Sequence, residues 1–520
     1  MIKIKLTNNV TEDSNTYDNI QDNTSIYTLK TGQLLLGDDA DIMLNLQLLK
    51  PIFNAYQYPK NDIGIANLYS DIFKKNTRFC DDNGNWYCYN DGYWEHDRHE
   101  VKIQEKMQRL LQIMLMYCDE IQKTSDTEDA IKDYRNFVNK CSSDHVIRRC
   151  INSSKNMLTI NLTDFDKDPF LLNCTNGVYN LKTGELTPHS PDYYMTKITN
   201  TYPAHSLTPI CKRWYSFIDD IMSHDPEKVK FLQRALGYSI LGVNREECMF
   251  LMYGKLTRNG KGTLIGAISK ALSAKYCDNI DTGLICVDKK GRSNDFNSPQ
   301  PALRKVVGTR IVTMSETDRD VMLSSASMKA ITGRDELTTR GLHESSITFV
   351  PQFTMWLATN HLPIVNDDTV FKSDRIWVIE FNEYFGDKRE DLKSIFQDPA
   401  NQPTILRWLV DGCKDYLENG LNPPECVRNA TNHYREMYDR IGNFIKECCV
   451  VDSNEKILRG SLNSAYERWC RKSENRYTPI GTSKFYNEMT IRGFHMLKSN
   501  GEFIIKGIGL KPLEENTIPI

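Results

Sequence analysis

A glycine-rich turn between a strand-like run and a helix-like run constrains this chain more than any other feature. The segment "CMFLMYGKLTRNGKGTLIGAISKAL" begins with apolar residues 248–253, continues through a loop at 254–260, and reaches Lys261 before helical spacing over 263–272. A phosphate-binding loop needs this order, because backbone N–H groups, a lysine and a helix N-terminus converge on the phosphates. The segment therefore predicts a phosphate site. The alternative is an ordinary glycine-bearing loop before a helix.

The loop departs from the usual GxxxxGK[ST] pattern in two places. Five residues rather than four separate Gly254 from Gly260, and Gly262 stands where a hydroxyl residue is usual. Thr263 is therefore expected to hold Mg²⁺, directly or through water. The residues expected to contact the nucleotide, ATP with Mg²⁺, are Gly254, Arg258, Asn259, Gly260, Lys261, Gly262, Thr263 and Leu264.

Two further strand-like runs end in polar residues suited to the same chemistry. "RKVVGTRIVTMSET" ends at Glu316, whose carboxylate is suited to orient the attacking water or to hold the metal; Asp318 and Asp320 are less favoured substitutes. "QFTMWLATNHLP" ends at Asn360, whose amide is suited to bond the γ-phosphate or that water. A solvated acid and a strand-capping amide are the alternatives. Three strands ending in GK, Glu and Asn predict an α/β, AAA+-like P-loop NTPase core.

Composition limits the class of protein. A chain of 520 residues is too long for one core, so several domains are expected. It has no apolar run of about 18 residues and no secretory signal pattern, so we expect no membrane contact and a cytoplasmic site, in a bacterial host or a virus-infected cell. Its 15 cysteines lack metal-binding spacing, which favours free thiols. The net charge of −3 shows no overall preference for nucleic acid, yet residues 455–511 carry eleven Lys and Arg against five Glu.

Changes in pattern along the chain predict five parts. The leader is rich in Asn, Asp, Thr and Ser without periodicity, whereas the C-terminal part is typical of two helices followed by a short hairpin, the order of a winged helix. The parts are a polar, weakly ordered leader at 1–58, an α+β region at 59–205, the ATPase core with its preceding helices at 206–400, a helical connector at 401–445 and a winged-helix DNA-binding domain at 446–520.

The sequence resembles the superfamily 3 helicases, and within them the phage and plasmid primase-helicase family that includes the poxvirus primase-helicase. The motifs "NGKGT", "SET", "KAITGRDELTTRGLHE", "FTMWLATNHLP" and "DRIWVIEF" follow the family's order, and "NGVYNLKTGELTPHSPDYYMTKI" resembles its region upstream of the motor. The resemblance implies a ring hexamer that hydrolyses ATP at subunit interfaces and travels 3′ to 5′ on single-stranded DNA during replication. Many relatives carry a primase domain in front; here we expect none and no primer synthesis.

The resemblance also implies roles for single residues. Lys261 is similar to the phosphate lysine, Glu316 to the acidic residue and Asn360 to the polar sensor. Arg375 resembles the arginine finger that a neighbouring subunit inserts to neutralise charge on the γ-phosphate. The family usually has two adjacent arginines here, whereas this chain has Asp374 before Arg375, and an arginine in a surface ion pair is the alternative.

DNA contacts are expected at two places. In "ASMKAITGRDELTTRGLHESSITF", which resembles the family's channel hairpin, Arg340 and His343 are expected near the tip, and Lys329 near the nucleotide or the DNA. In the C-terminal part the basic residues form a candidate duplex-binding surface; a merely solvated basic face is the alternative. These residues are Arg468, Arg471, Lys472 and Lys484.

The favoured function is an ATP-dependent DNA helicase or replication-initiation motor of a virus, plasmid or mobile element. Its expected partners are single-stranded and duplex DNA, other copies of the chain in a hexamer, and a separate primase or polymerase. The main alternative is a nucleotide-gated DNA-binding initiator with little unwinding. A small-molecule kinase leaves the hairpin and C-terminal patterns unexplained, and a scaffold with an inactive nucleotide site is the remaining option.

Overall fold

The computed structural model describes residues 25–122, 124–205, 210–287, 298–315, 321–342, 346–365, 369–386, 390–472, 479–499 and 501–512. The chain divides into two compact units, Met1–Leu162 and Thr163–Ile520. Within the described ranges, no helix is both long and apolar enough to cross a bilayer. All fifteen cysteines are free thiols, as predicted.

The first unit packs five helices of its described part against short sheets. One sheet has the strand order β5-β4-β3-β6, and a separate pair joins β1 to β2. Strands β4 and β5 form an aromatic hairpin around "NDG", in which Asn90 pairs with Tyr93 across a two-residue turn. The elements are β1 Ile26–Thr28, β2 Leu34–Leu36, α1 Asp38–Leu49, α2 Asp62–Phe73, β3 Thr77–Cys80, β4 Asn85–Asn90, β5 Tyr93–His96, α3 Val101–Glu120, α4 Glu128–Cys141, α5 Asp144–Ser154 and β6 Thr159–Ile160.

The expectation of a weakly ordered leader over 1–58 is wrong for the part that carries β1, β2 and α1. Leu35, Met43 and Leu46 are buried in the core of the first unit, together with apolar residues of α2 and α3. The polar composition of the leader concealed these few apolar residues, which are enough to hold a short helix against neighbouring ones. Residues 1–24 lie outside the described part of the chain.

The second unit is built around a parallel sheet. Its elements up to the last strand of that sheet are β7 Leu171–Cys174, β8 Gly177–Asn180, β9 Leu186–Thr187, α6 Lys212–Ile221, α7 Pro226–Ser239, β10 Met249–Tyr253, α8 Lys261–Leu272, β11 Cys277–Asn279, α9 Pro301–Lys305, β12 Ile311–Ser315, β13 Met322–Leu323, α10 Ser325–Thr332, β14 Leu337–Thr339, β15 Ile347–Phe349, β16 Thr354–Thr359, β17 Ile364–Val365, α11 Thr369–Lys372 and β18 Ile376–Glu380. Five of these strands form the sheet, in the order β11-β12-β16-β10-β18, and all its pairs are parallel.

Both faces of this sheet are buried, which explains the nearly continuous apolar runs of its strands. Along β10, Phe250 and Met252 point into one core cluster, whereas Met249 and Leu251 point into another on the opposite face. The predicted α/β class is confirmed at this level: the unit is a mixed α/β structure with a parallel sheet.

The structure groups two segments differently from the predicted domains. The strands β7–β9 were expected to belong to the region before the motor, but Leu172 and Cys174 of β7 are buried in the same cluster as Phe250 of the central sheet. The division between units therefore falls after Leu162 rather than at 205. The helix at residues 402–419, expected in a connector, packs on α7 so closely that a Cβ at Gly237 would lie 2.1 Å from Cys413 N.

The C-terminal part of the second unit has a core of its own, which includes the buried rings of Phe444, Tyr466 and Phe485. The predicted order of two helices and a hairpin is confirmed, and a preceding strand joins the hairpin in a sheet of order β20-β22-β21. The elements after the central sheet are α12 Leu392–Gln397, α13 Gln402–Asn419, α14 Glu425–Tyr438, α15 Arg440–Cys448, β19 Cys449–Val450, β20 Lys456–Leu458, α16 Arg459–Lys472, α17 Thr482–Ile491, β21 Met496–Ser499, β22 Glu502–Lys506 and β23 Gly509–Leu510.

Candidate functional site

The predicted phosphate loop connects β10 to α8 and is held in shape by hydrogen bonds to neighbouring strands. The Gly254 N–H donates to the Thr359 carbonyl at 3.2 Å, and the buried Asn259 amide donates to the Leu256 carbonyl at 2.7 Å and the Phe381 carbonyl at 3.4 Å. Asn259 thus clamps the loop from within. The motif "DRIWVIEF" contains β18 and Phe381, but it gave no indication that the Phe381 carbonyl reaches the loop.

Gly254 is required by this packing. A Cβ there would lie 2.2 Å from Asn259 Nδ2, 2.5 Å from the Phe381 carbonyl oxygen and 3.1 Å from Lys261 Nζ. The first two distances are shorter than any normal contact, and one of the two atoms belongs to the backbone. A larger residue would therefore displace the clamp and the lysine together.

Lys261 is the first residue of α8, and its side chain is buried at the loop. Its ammonium group donates to Asn360 Oδ1 at 2.9 Å and to the Gly254 carbonyl at 3.3 Å, and both acceptors are neutral. Burial disfavours the charged form and lowers the pKa of Lys261 to about 8. A negatively charged ligand at this place would restore the charge that burial disfavours.

The order of strands explains why Asn360 reaches Lys261. β16 lies between β10 and β12, and the register pairs Tyr253 with Thr359, and Ser315 with Ala358. Because all three strands are parallel, their carboxyl ends meet at one edge, where ligands bind in open α/β sheets. The structure thus brings Lys261 and Asn360 together. Glu316 follows the last residue of β12 but lies outside the described residues, as do Asp318 and Asp320.

The remaining loop residues differ in what surrounds them. Gly260 has a φ of 88°, and a Cβ there would lie 2.4 Å from Ile221 Cγ2, so glycine is needed at this position. At Gly262, by contrast, no described atom lies within 4 Å of a Cβ. Thr263 is half-buried in the first turn of α8, whereas Arg258 is exposed with a φ of 60°.

Leu264 does not fit the predicted nucleotide contact. Its side chain is completely buried in the core below the sheet, and its N–H donates to the Gly260 carbonyl within α8. Neither the side chain of Leu264 nor its backbone N–H is therefore available to a nucleotide. The sequence motif included it because it is adjacent to Thr263, but helix periodicity turns it inward.

Arg375 lies at the opposite edge of the sheet. It immediately precedes β18, and its carbonyl accepts from Met249 N at 2.9 Å. Its guanidinium donates to Glu247 Oε2 at 2.7 Å and to Thr332 Oγ1 at 2.8 Å. The structure does not bring Arg375 to Lys261 of the same chain. Its carboxylate partner, Glu247, has no signal in the sequence.

The predicted channel hairpin is confirmed as a hairpin. β14 and β15 are antiparallel, with Leu337 opposite Phe349 and Thr339 opposite Ile347. Arg340 is exposed immediately after β14, and His343 lies outside the described residues. Lys329 is on α10, where its ammonium group donates to Thr369 Oγ1 at 2.5 Å.

The basic residues predicted in the C-terminal part lie on two helices, α16 and α17. Arg468 and Arg471 are exposed on α16, where they line an open groove of about 910 Å³, hereafter the α16 groove. Lys484 is exposed on α17, outside the described lining of that groove. The backbone of Lys472 ends α16, but its side chain is outside the described part.

Comparisons with known proteins find one matching family model and several similar viral proteins. Residues 66–223 match the family described as "D5 N terminal like". This family match and the viral relatives described next support a relation to the D5-like primase-helicase family. The chain is 25% identical over 377 residues to "Putative helicase L207/L206" of Acanthamoeba polyphaga mimivirus, covering 69% of this chain and 38% of that protein. It is 29% identical over 167 residues to "Putative helicase V13" of Sputnik virophage, covering 29% and 21% of the two chains.

A further relative is "Putative primase C962R" of African swine fever virus, 21% identical over 369 residues, which cover 66% of this chain and 38% of that protein. The chain spans less than two fifths of the length of these curated relatives. Among solved structures, it is similar to the A form apo structure of the NrS-1 C-terminal region, with a TM-score of 0.46 and 11% identity over 83% of this chain and 96% of that one.

Proposed function

We propose that this chain is an ATP-driven DNA helicase motor of superfamily 3 that serves viral replication. The observation that carries the proposal is the contact between Lys261, buried at the start of α8, and Asn360, at the end of the neighbouring strand. Viral proteins named putative helicases and primases are relatives at low identity, which supports the same role.

The loop fits the phosphates of a nucleotide. The N-terminus of α8 has no side-chain cap among the described residues, so its first N–H groups are available to an anion. Lys261 would bind the β- and γ-phosphates, and Thr263 would hold Mg²⁺, which supplies charge neutralisation at the γ-phosphate. Asn360 would exchange its bond to Lys261 for one to the γ-phosphate or the attacking water. We assign activation of that water to Glu316.

The position of Arg375 supports hydrolysis between subunits. β10 has five residues, and at about 3.3 Å per residue it separates the two sheet edges by roughly 16 Å. Arg375 therefore cannot reach a nucleotide held by Lys261 of its own chain, and a role as an arginine finger would require the nucleotide of a neighbouring copy. We infer a ring, with a hexamer as the expected size, in which each copy completes the site of the next.

The DNA-binding parts are proposed on the same basis. The hairpin of β14 and β15 would present Arg340 to the phosphates of a single strand in the ring's channel. The C-terminal order of helix, strand, two helices and hairpin, with the sheet order β20-β22-β21, supports a winged-helix domain whose α17 carries Lys484 toward duplex DNA. Primer synthesis is not part of the proposal.

ATP hydrolysis by the purified chain, with and without single-stranded DNA, tests the motor. We expect DNA to stimulate hydrolysis in a hexamer-sized particle, and Lys261→Ala to reduce turnover to background because the phosphates lose their lysine. The same sample is sized by light scattering, and thermal unfolding verifies that the variant is folded. Unchanged turnover in Lys261→Ala would refute the site.

A second candidate is a nucleotide-gated DNA-binding initiator. The separate core of the C-terminal part favours it, because a domain that packs around its own buried rings can bind DNA without the motor. Duplex binding that survives Lys261→Ala, combined with a lack of strand displacement by the wild-type chain, would select this function.

A further inference from the structure

Small residues of α16 line part of the α16 groove. Gly460, Ser461 and Ser464 lie on the exposed face of α16 and line the groove. Around Gly460, no described atom lies within 4 Å of the position of a Cβ. Since these three residues are small, an extended chain can approach α16 closely at this part of the groove.

Two arginines line one side of the groove together with Glu467, and Glu502 lines the groove beside Phe503. Arg468 and Arg471 are three residues apart and therefore lie on the same face of α16. Arg468 is exposed and makes no ion pair in the described part of the chain. Arg471 approaches Glu467 at 3.7 Å with 74% of its side chain exposed, and an ion pair of this kind contributes little. Both guanidinium groups are therefore available to a phosphate backbone.

The other side is aromatic. Phe503 of β22 is 49% exposed at the groove. Arg459, at the start of α16, has its guanidinium carbon 4.2 Å from the ring centre of Tyr486 and 5.9 Å from that of Phe503. An exposed aromatic ring beside arginines offers a stacking surface for a planar base.

We propose that the α16 groove binds single-stranded nucleic acid, with a base stacked on Phe503 and phosphates on Arg468 and Arg471. A duplex keeps its bases stacked on each other and cannot offer a base face to Phe503, so the exposed ring selects an unpaired strand. Arginines along one wall and an aromatic ring on the other are the pattern of sequence-tolerant single-strand binding. The inference rests on the proposed function for its setting: duplex would contact α17 while a separated strand lies in the α16 groove.

Photo-crosslinking of the full chain tests the groove directly. An oligo(dT) strand carrying 5-iododeoxyuridine is bound without nucleotide, irradiated, and the adducts are mapped by mass spectrometry, while affinity is measured by fluorescence anisotropy. We expect an adduct at Phe503. The double variant Arg468→Ala with Arg471→Ala should reduce that adduct about tenfold and lower the dependence of affinity on salt, because two phosphate contacts are lost.

A second variant and a control separate charge from folding. Ser464→Glu places a carboxylate on the exposed face of α16 and should reduce the Phe503 adduct as strongly. A charge-matched control, Lys414→Ala with Lys446→Ala, removes two exposed lysines away from the groove and should leave the adduct unchanged.

The outcomes distinguish this inference from the proposed function. DNA-stimulated hydrolysis and strand binding with adducts only outside the groove would overturn the groove and leave the motor intact. Competition by poly-glutamate as effective as that by oligo(dT) would overturn it as well, because the groove would then be a general acidic-peptide surface. If the wild type neither hydrolyses ATP nor binds the strand, both proposals fail.

Discussion

The two edges of the central sheet each hold a shielded cation, but they differ in whether a carboxylate lies beside it. At the carboxyl edge, Lys261 is buried against neutral oxygens only, and its pKa is lowered to about 8. At the amino edge, Arg375 is less buried, with 18% of its side chain exposed, and Glu247 neutralises it at 2.7 Å. One edge holds a cation without a counter-ion among the described residues, and the other holds a paired one.

This difference indicates where a ligand is needed. A buried cation without a carboxylate is unfavourable, so the carboxyl edge gains most from an anion that is not part of the chain. The paired Arg375 is stable in the isolated subunit and would exchange Glu247 for a neighbour's nucleotide only after assembly. On the proposed function, one edge of the sheet would hold the nucleotide, and the other would hold Arg375 for the nucleotide of a neighbouring copy.

Replacement of Arg375 should give the largest effect, because it should lower ATP hydrolysis without weakening ATP binding at the other edge. We expect Arg375→Ala to lower ATP hydrolysis by about 10³-fold, the usual contribution of an arginine finger, while ATP affinity changes less than about twofold. Turnover and equilibrium binding are measured on the same preparation. Arg407→Ala, which breaks the exposed pair with Asp411, serves as the control and should leave both unchanged. Weakened ATP binding by Arg375→Ala in a monomer would contradict the assignment.

A pair of glycine variants sharpens the description of the binding edge. Gly254→Ala should weaken ATP binding by about 10-fold or more, because the added methyl meets Asn259 and the Phe381 carbonyl and displaces Lys261. Gly262→Ala, one residue beyond the lysine, adds the same methyl where no described atom is near and should bind within about twofold of the wild type. The affinity of each variant for ATP is measured by isothermal titration calorimetry. Equal losses of affinity in the two variants would show that Asn259 does not position Lys261.

The pH dependence of ATP binding should give a smaller and graded effect. Below pH 8 Lys261 is charged in the free protein, whereas above it the free protein loses the proton that bound phosphate would retain. Affinity should therefore be level up to about pH 8 and fall by at most about tenfold per pH unit above it. Lys261→Arg is the control, since a guanidinium stays charged throughout and its profile should be level. A wild-type profile that stays level above pH 8 would contradict a lowered pKa of Lys261 that bound phosphate restores.

The same pKa has a consequence for folding. Without nucleotide, the folded chain binds the Lys261 proton less tightly than the unfolded chain, whose lysine has an ordinary pKa of about 10.4. Between pH 8 and that value the unfolded state holds more protons, so this residue makes the apo protein more stable as pH rises. Bound phosphate should abolish this trend, because it raises the pKa of Lys261 again.

Local patterns in the sequence predicted much of the second unit. The strand, loop and helix around "NGKGT" appear as β10 and α8, the strands before Glu316 and Asn360 appear as β12 and β16, and the C-terminal helices and hairpin appear in their predicted order. These elements carry their signal in residue spacing, glycine position and apolar runs, which depend on neighbours within a few residues. The first unit was predicted less well, because the apolar residues of β2 and α1 are few among polar ones.

The sequence by itself determined which residues are available for the chemistry: a lysine after a glycine-rich turn, an amide and an acid after buried strands, and arginines on either side. Only the tertiary structure decided that β16 lies between β10 and β12 so that Asn360 meets Lys261, that Leu264 turns into the core, and that Arg375 pairs with Glu247 at the far edge. The physical reason is that strand order and side-chain partners depend on contacts between residues up to about a hundred positions apart, and spacing along the chain carries no information about them.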